Sequence, residues 1–569
     1  MSGGPGSDTT ASLVVGVTGH RRPCEADVAG LAAQVRAFFL DLRERYPALP
    51  LVLLSPLAEG GDRIAAEVAF DLGIRVIAPL PLPLAQYRDD FESADSLAVF
   101  ERQLARAEPL FLPGCTGDDV DATGVPGSAR DRQYAEAGIF VSRHCHVLLA
   151  LWDGRSSSAL GGTAHTVQFH LQGEPPGVEQ RGAWLNLLGV VDNSLVWHVP
   201  VRRQAAADPT EIATPMSGRW LTAGGEVVAS DQPPEPFHGM FLCQAAFNAD
   251  GRAHAAAIEA SAPAAAQPGQ CPIRRLFEVA DWLASTYQAR VGRVLRITYV
   301  LAAATGFAFI LYAHVHSQDA MIYLYLLLFA IGVGLSVLAR RRQWHRKYLD
   351  YRALAEGLRV QSYWRRAGVV DVAHPSSAQD SFMQEQDVEL GWIRNVLRAA
   401  SLEGMCVPAQ ADAAAVDEVI QEWVGTADSD GQLGYFTVTA AKRARLHRRA
   451  EWVARGCLSA GIAISVLLAI LAHRLDYDAK TALVVAMGLL SVAAGVHEAY
   501  VHKMADTELV KQYRFMQRIY DCARRRLDAC DTVAGKRRVL QTLGEAALAE
   551  HAEWTLMHRE RPLEHTRLG

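Results

Sequence analysis

The chain changes its hydrophobic period twice. Near the start, LVVGV at 13–17 is a short, apolar, β-branched run, the form of a strand buried on both faces. A helical pattern follows near 25–46, then LVLLS at 51–55, a loop, a helix at about 62–73, and IRVIAP at 74–79. CHVLLALW at 145–152 and SLVWHVPV at 194–201 read as later strands. Strands alternating with helices predict a doubly wound α/β, Rossmann-like domain with a mostly parallel sheet over 12–200. Residues 1–11 lack the basic start and apolar core of a secretory signal and are read as a disordered leader.

Beyond residue 270 the pattern becomes continuous apolar runs. Segments 297–318, 320–339, 456–473 and 481–497 contain no Asp, Glu, Lys or Arg. A helix needs about 20 largely apolar residues to cross hydrocarbon, so all four are candidate spans, the last two near the lower limit. Short turns join them in pairs, which predicts an all-α membrane region with two transmembrane hairpins. An arginine-rich helix trails each pair, at 340–368 and 502–526. The recurrence marks a duplicated unit, 273–368 and 441–526, separated by a cytoplasmic insert, 369–440, whose helix-like core is 386–400. Residues 201–272, rich in Ala, Pro and Gly, read as an extension and linker, and 527–569 as a cytoplasmic helical tail. Small residues four apart (Ala302/Gly306, Gly332/Ser336, Gly461/Ser465, Ser491/Gly495) permit close helix approach in the spans.

Charge then sets orientation and removes some functions. Arg290, Arg293 and Arg296 precede the first span, Arg340–Arg342 follow the second, and Lys442, Arg443, Arg445, Arg448, Arg449 and Arg455 precede the third. The two turns hold only Arg474 and Lys480. This asymmetry predicts a multi-pass protein of the inner (plasma) membrane with both termini cytoplasmic and the lipid bilayer as a partner. No ionisable Asp, Glu, Lys or Arg lies within a span, which argues against a proton relay or voltage sensor. A net charge of −6 gives no global basic field for nucleic acid. Nine cysteines occur singly without a CxxC pair, which argues against a zinc site or a disulfide scaffold, so no metal ligand is assigned.

The candidate chemistry lies in three polar loops where strands end. The first is Gly16-Val17-Thr18-Gly19-His20-Arg21, the second Glu59-Gly60-Gly61-Asp62-Arg63, the third Trp152-Asp153-Gly154 followed by Gly161-Gly162-Thr163 at a helix start. Glycines let backbone approach a ligand, and helix N-termini favour phosphate. Arg21 and Arg63 add charge-assisted contacts, while Asp62 and Asp153 suit ribose hydroxyls or the orientation of an arginine. Ligands of such sheets bind outside the carboxyl ends of the strands. These residues together predict a nucleotide-like ligand, with no catalytic residue assigned. His144 and His146 around Cys145 fit a packed strand better than a metal site, and Tyr134 and Glu136 open a helix that either touches the ligand or is an ordinary exposed face.

The series VTGHR, Gly-Gly-Asp-Arg, then WDG…GGT before a helix resembles the SLOG superfamily of Rossmann-like domains over about 12–200. The helix carrying Tyr351-Arg352, Ala355-Glu356, Leu358-Arg359 and Trp364 resembles the two-span SLATT effectors; the second copy, with Tyr513-Arg514, matches less well. The resemblance implies a sensor–effector pair: a SLOG domain sensing a nucleotide second messenger such as an ADP-ribose-like ligand, and spans that oligomerise to perturb or permeabilise the membrane in bacterial anti-phage defence. The LOG branch of that superfamily hydrolyses nucleoside monophosphates with a PGGxGTxxE loop. Here the run is Leu160-Gly161-Gly162-Thr163-Ala164-His165-Thr166, lacking the later glycine and the acidic residue. Binding without turnover is therefore the expected mode. A membrane-tethered nucleotide hydrolase, or a ligand-regulated channel or scaffold, are the alternatives.

Overall fold

A computed structural model describes residues 10–91, 93–112, 128–157, 159–173, 194–204, 217–223, 227–228, 230–261, 271–315, 319–369, 390–406, 412–428, 431–471, 473–504 and 506–559. Residues 1–9 of the leader, 262–270 of the linker, 316–318 of the first turn, 370–389 of the insert and 560–569 of the tail lie outside them. The chain divides into two compact units: Met1–Leu283 with Asp350–Asp412 and Gly544–Leu556, and Ala284–Leu349 with Ala413–Leu543 and Met557–Gly569.

The first unit is built on an eight-stranded sheet in the order β4-β3-β2-β1-β5-β6-β7-β8. Strands β1 (Leu13–Gly19), β2 (Leu51–Leu54), β3 (Arg75–Leu80), β4 (Glu108–Phe111), β5 (Val147–Trp152) and β6 (Val196–Pro200) are parallel. Strands β7 (Arg219–Leu221) and β8 (Val227–Val228) add an antiparallel edge. Alternation along β1 sorts its side chains. Leu13, Val15 and Val17 enter one core with Leu31, Val35 and Phe38 of α1 (Val28–Arg45) and Phe241 of α7 (Phe237–Ala253). Val14 enters the other with Val141 of α5 (Ser128–His144) and Val167 of α6 (Thr163–Gln172).

Two segments read as separate from the sheet domain belong to it. In the 201–272 extension, α7 fastens the chain start: Asn248 bonds both the N–H and C=O of Ala11, each at 2.9 Å, and Gln244 donates to Ser12 O. In the 369–440 insert, α12 (Gly391–Met405) lays Ala399, Leu402 and Met405 on the second face of the sheet. Each large apolar side chain so buried contributes about 1.5–3 kcal/mol. Arg75 ties β3 to Glu108 of β4 and to Glu403 of α12. His146 is spent in the same packing: it accepts from Val14 N at 3.1 Å and donates to Asn395 O at 2.9 Å, and burial drives its pKa down to about 3. The neighbouring His144 ends α5, with its ring bonded to Phe140 O.

Also in this unit, α11 (Trp344–Ala367) presents Glu356 between Arg352 and Arg359. Burial opposes the Glu356 charge, but the two guanidiniums outweigh it and hold the carboxyl at about 2. Tyr351 of that helix donates to Asp250 of α7 at 2.7 Å.

The second unit is helical. Among the described residues, four helices are long and apolar enough to cross a membrane: α9 (Pro272–His314), α10 (Ala320–Arg342), α14 (Gln432–Leu471) and α15 (Tyr477–Met504). No residue of α10 is buried, and Leu327 and Phe329 are each 57% exposed, as side chains facing lipid would be. A left-handed Gln343 separates α10 from α11. Helix α15 packs on α14, with Ser465 Oγ 2.9 Å from Met487 Sδ, and on α9, where a Cβ on Gly306 would come within 2.7 Å of Val492. Gly332, Gly461 and Gly495 have open space around them, so of the glycines in the small-residue pairs it is Gly306 that lies in a close approach; outside those pairs, a Cβ on Gly488 would lie 3.2 Å from Ile310 Cδ1. The second arginine-rich helix, α16 (Asp506–Asp528), packs along the first half of α14 through Phe436–Tyr513 and Phe436–Tyr520 ring contacts. The short α13 (Ala413–Val419) and the long α17 (Val533–Arg559) complete the helices.

Candidate functional site at the carboxyl edge of the sheet

Strand order reverses at β1, which has β2 on one side and β5 on the other. The crevice at such a switch point is where doubly wound sheets take ligands. The three loops converge there. His20 N donates to Leu151 O at 3.1 Å, and Gly61 N donates to His20 O at 3.1 Å, so the turn after β1 is clamped between the end of β5 and the start of α2 (Gly61–Asp71).

Several candidate glycines are consumed by this packing. A Cβ on Gly19 would lie 2.7 Å from Gly61 Cα, and one on Gly61 would lie 2.7 Å from Gly19 Cα. Gly60 has φ +83° and ψ −119°, and its Cβ would sit 2.2 Å from His20 O. Gly16 lies inside β1, where a Cβ would meet Val141 and Cys145 within 2.9 Å; its place is helix-on-sheet contact, away from the strand end. Thr18 is a nearly buried strand residue paired with Ala150.

The charged residues divide in the same way. Arg63 turns away from the crevice: it donates to Ser96 Oγ at 2.8 Å and stacks 4.6 Å over the Phe91 ring. Asp62 is buried and accepts the N–H groups of Ala58 and Gly19, joining the β2 loop to the end of β1. Burial raises its pKa to about 7, against those two bonds and the charge of Arg21. Its folded pKa thus exceeds the ordinary 3.8, so the folded state holds the extra proton between those values. The contribution of this group to stability falls as pH rises through that window and is gone above it, opposite in sign to the contributions of His20 and His146, whose lowered values make stability rise with pH. The test is therefore a difference: between pH 4 and about 8 the melting temperature of the wild type should drop relative to that of Asp62→Asn.

Asp153 orients an arginine and a histidine. Its Oδ1 is 3.1 Å from His20 Nε2, and its Oδ2 is 3.0 Å from Arg203 Nε. Burial opposes the Asp153 charge, but the Arg155 N–H, His20 and Arg203 together hold its pKa below the usual range. Burial lowers the His20 pKa, with Arg203 adding to the effect and Asp153 opposing it, so the ring is neutral near pH 7. Gly154 and Gly161 both take positive φ, +77° and +74°, and Gly162 caps α6 immediately before Thr163.

Arg21 remains exposed beside this framework. It makes no hydrogen bond or ion pair among the described residues; its guanidinium lies 5.5 Å over the Tyr134 ring. The Tyr134 hydroxyl is buried and has no hydrogen-bond partner among the described residues. No protein-family model and no curated protein matches this chain.

Sequence reasoning missed Arg203, which stands just beyond β6 as Arg21 stands just beyond β1. That shared position, a basic residue past the end of an apolar strand, was the available signal. It also left Tyr134 undecided between ligand contact and exposed helix face. The ring under Arg21 and the unpartnered hydroxyl place it at the crevice.

Proposed function

We propose that the sheet unit senses a nucleotide-derived anion at the β1/β5 crevice, and that the four apolar helices form the membrane effector which the signal controls. The observation that carries this reading is Arg21: an unpaired, exposed guanidinium beside an unpartnered tyrosine hydroxyl, at the switch point and one loop away from the N-terminus of α6. The similarity to SLOG and SLATT modules supports the same pairing of sensor and effector, with an ADP-ribose-like second messenger, hairpins formed by successive spans and a role in anti-phage defence. The Lys/Arg asymmetry supports an inner-membrane location with both termini cytoplasmic.

The alternative is an enzymatic reading: His20 lies beside Asp153 as a general base would, although its Nδ1 is 3.1 Å from Arg203 Nη2 and would have to be released to take a proton. Incubating the purified full-length protein with ADP-ribose and weighing the recovered nucleotide by mass spectrometry separates the two. Intact nucleotide with retained binding is the expected result. Stoichiometric accumulation of hydrolysis products would make the protein a tethered hydrolase.

A further inference from the structure

A second concentration of unpaired cations lies on α16, in the helical unit. Lys511, Arg514, Gln517 and Arg518 line a cavity of about 530 Å³. The spacing i, i+3, i+7 sets the three basic side chains on one helical face. The described carboxylates of this helix are engaged elsewhere: Asp521 pairs with Arg525 at 2.9 Å and Asp528 with Arg524 at 2.6 Å. Lys511, Arg514 and Arg518 make no ion pair or hydrogen bond among the described residues. Gln517 is held by its bond to Thr437 Oγ1 at 3.1 Å. The opposite face of the helix is fixed by Met516, Tyr520 and Leu527, all buried, so the cations stand on a rigid support.

Like charges are gathered there at a cost in repulsion, and neither Asp521 nor Asp528 is paired to them. We propose that this face of α16 is a second anion site, taking a soluble phosphate-bearing molecule of nucleotide size. Arginine forks match phosphate oxygens two at a time, and the open hollow has room for a phosphate chain. A membrane headgroup offers the same chemistry, but the geometry disfavours it. Helix α16 packs on α14 at Thr437 and at Arg443, which stacks on Tyr513. The apolar stretch of α14 begins at Gly456. At about 1.5 Å per residue, the contacts lie roughly 20–28 Å before that point. Headgroups extend only about 5–8 Å beyond the hydrocarbon, and the Debye length is about 8 Å.

The test uses the full-length protein in phosphatidylcholine nanodiscs, titrated calorimetrically with inorganic triphosphate. The Arg21→Ala background removes the crevice as a competing site, so the outcome is independent of the function proposed for the sheet unit. One saturable, salt-sensitive site is expected, weakened at least about tenfold in the Arg514→Gln/Arg518→Gln variant. An equal affinity in that variant, with an unchanged melting curve, would overturn the assignment, as would the absence of saturable binding. Discs containing phosphatidylglycerol should bind triphosphate equally well. Loss of binding there would show that lipid headgroups fill the cradle and would overturn the soluble ligand.

Discussion

Replacing Arg21 with alanine should weaken binding of ADP-ribose by one to two orders of magnitude while leaving the melting temperature close to that of the wild type. Arg21 is exposed and makes no hydrogen bond or ion pair among the described residues, so the fold loses its stacking over Tyr134, worth about 0.5–1 kcal/mol, and its longer-range attraction to buried Asp62. A phosphate at the crevice would lose a charge-assisted hydrogen bond, about 1.5–3 kcal/mol, which weakens binding roughly 10- to 150-fold. Calorimetric titration of the two proteins reads the difference directly. Unchanged affinity would mean that the ligand binds elsewhere. Gly161→Val, the other substitution the loop invites, is a poorer probe. Gly161 has φ +74°, and a Cβ there would lie 2.8 Å from Tyr134 Cβ and 2.9 Å from Ala135 N. A β-branched residue would push α5 away from the loop before α6, so lost binding would report a damaged fold as readily as a blocked site.

The interior strands were legible in the sequence because they are continuous apolar runs. β1, β2, β3, β5 and β6 were each located within two residues of their observed ends, and their parallel order followed from the intervening helices. β4 was missed because its four residues, Glu-Pro-Leu-Phe, sit at the sheet edge and bury little beyond Leu110. The positions of α7 and α12 were illegible for a different reason. Amphipathic spacing reveals that a helix has an apolar face, but not that the face rests on a sheet hundreds of residues earlier in the chain. At the crevice, the glycines read as positions for a ligand to approach, whereas the atoms that a Cβ at Gly19, Gly60 or Gly61 would meet belong to the protein's own backbone. The direction of Arg63 depended on Ser96 and Phe91, contacts made across 33 and 28 residues, which local spacing does not encode.

Addition of the nucleotide should make liposomes containing the full-length protein release a small dye, with a sigmoidal dependence on ligand concentration. The spans themselves argue for assembly. Three of their hydroxyls are satisfied within the helices that carry them: Thr305, Ser465 and Ser491 each donate to the carbonyl four residues back, at 2.7, 2.9 and 2.9 Å. Four such helices from one chain are too few to enclose a wide pore, whereas several chains can enclose one between them. A ligand shifts a closed–open equilibrium only by its differential affinity for the two states, and moving from 1:99 to 99:1 takes about 5.5 kcal/mol. A single phosphate contact of the size expected at Arg21 supplies less than that. Coupled subunits, each contributing its own contact, reach it together, and that coupling is what makes the dose response sigmoidal. Arg21→Ala should remove the response without preventing insertion of the protein into liposomes. Tight binding of the nucleotide to liposomes that never leak would end the effector reading and leave a membrane-tethered receptor.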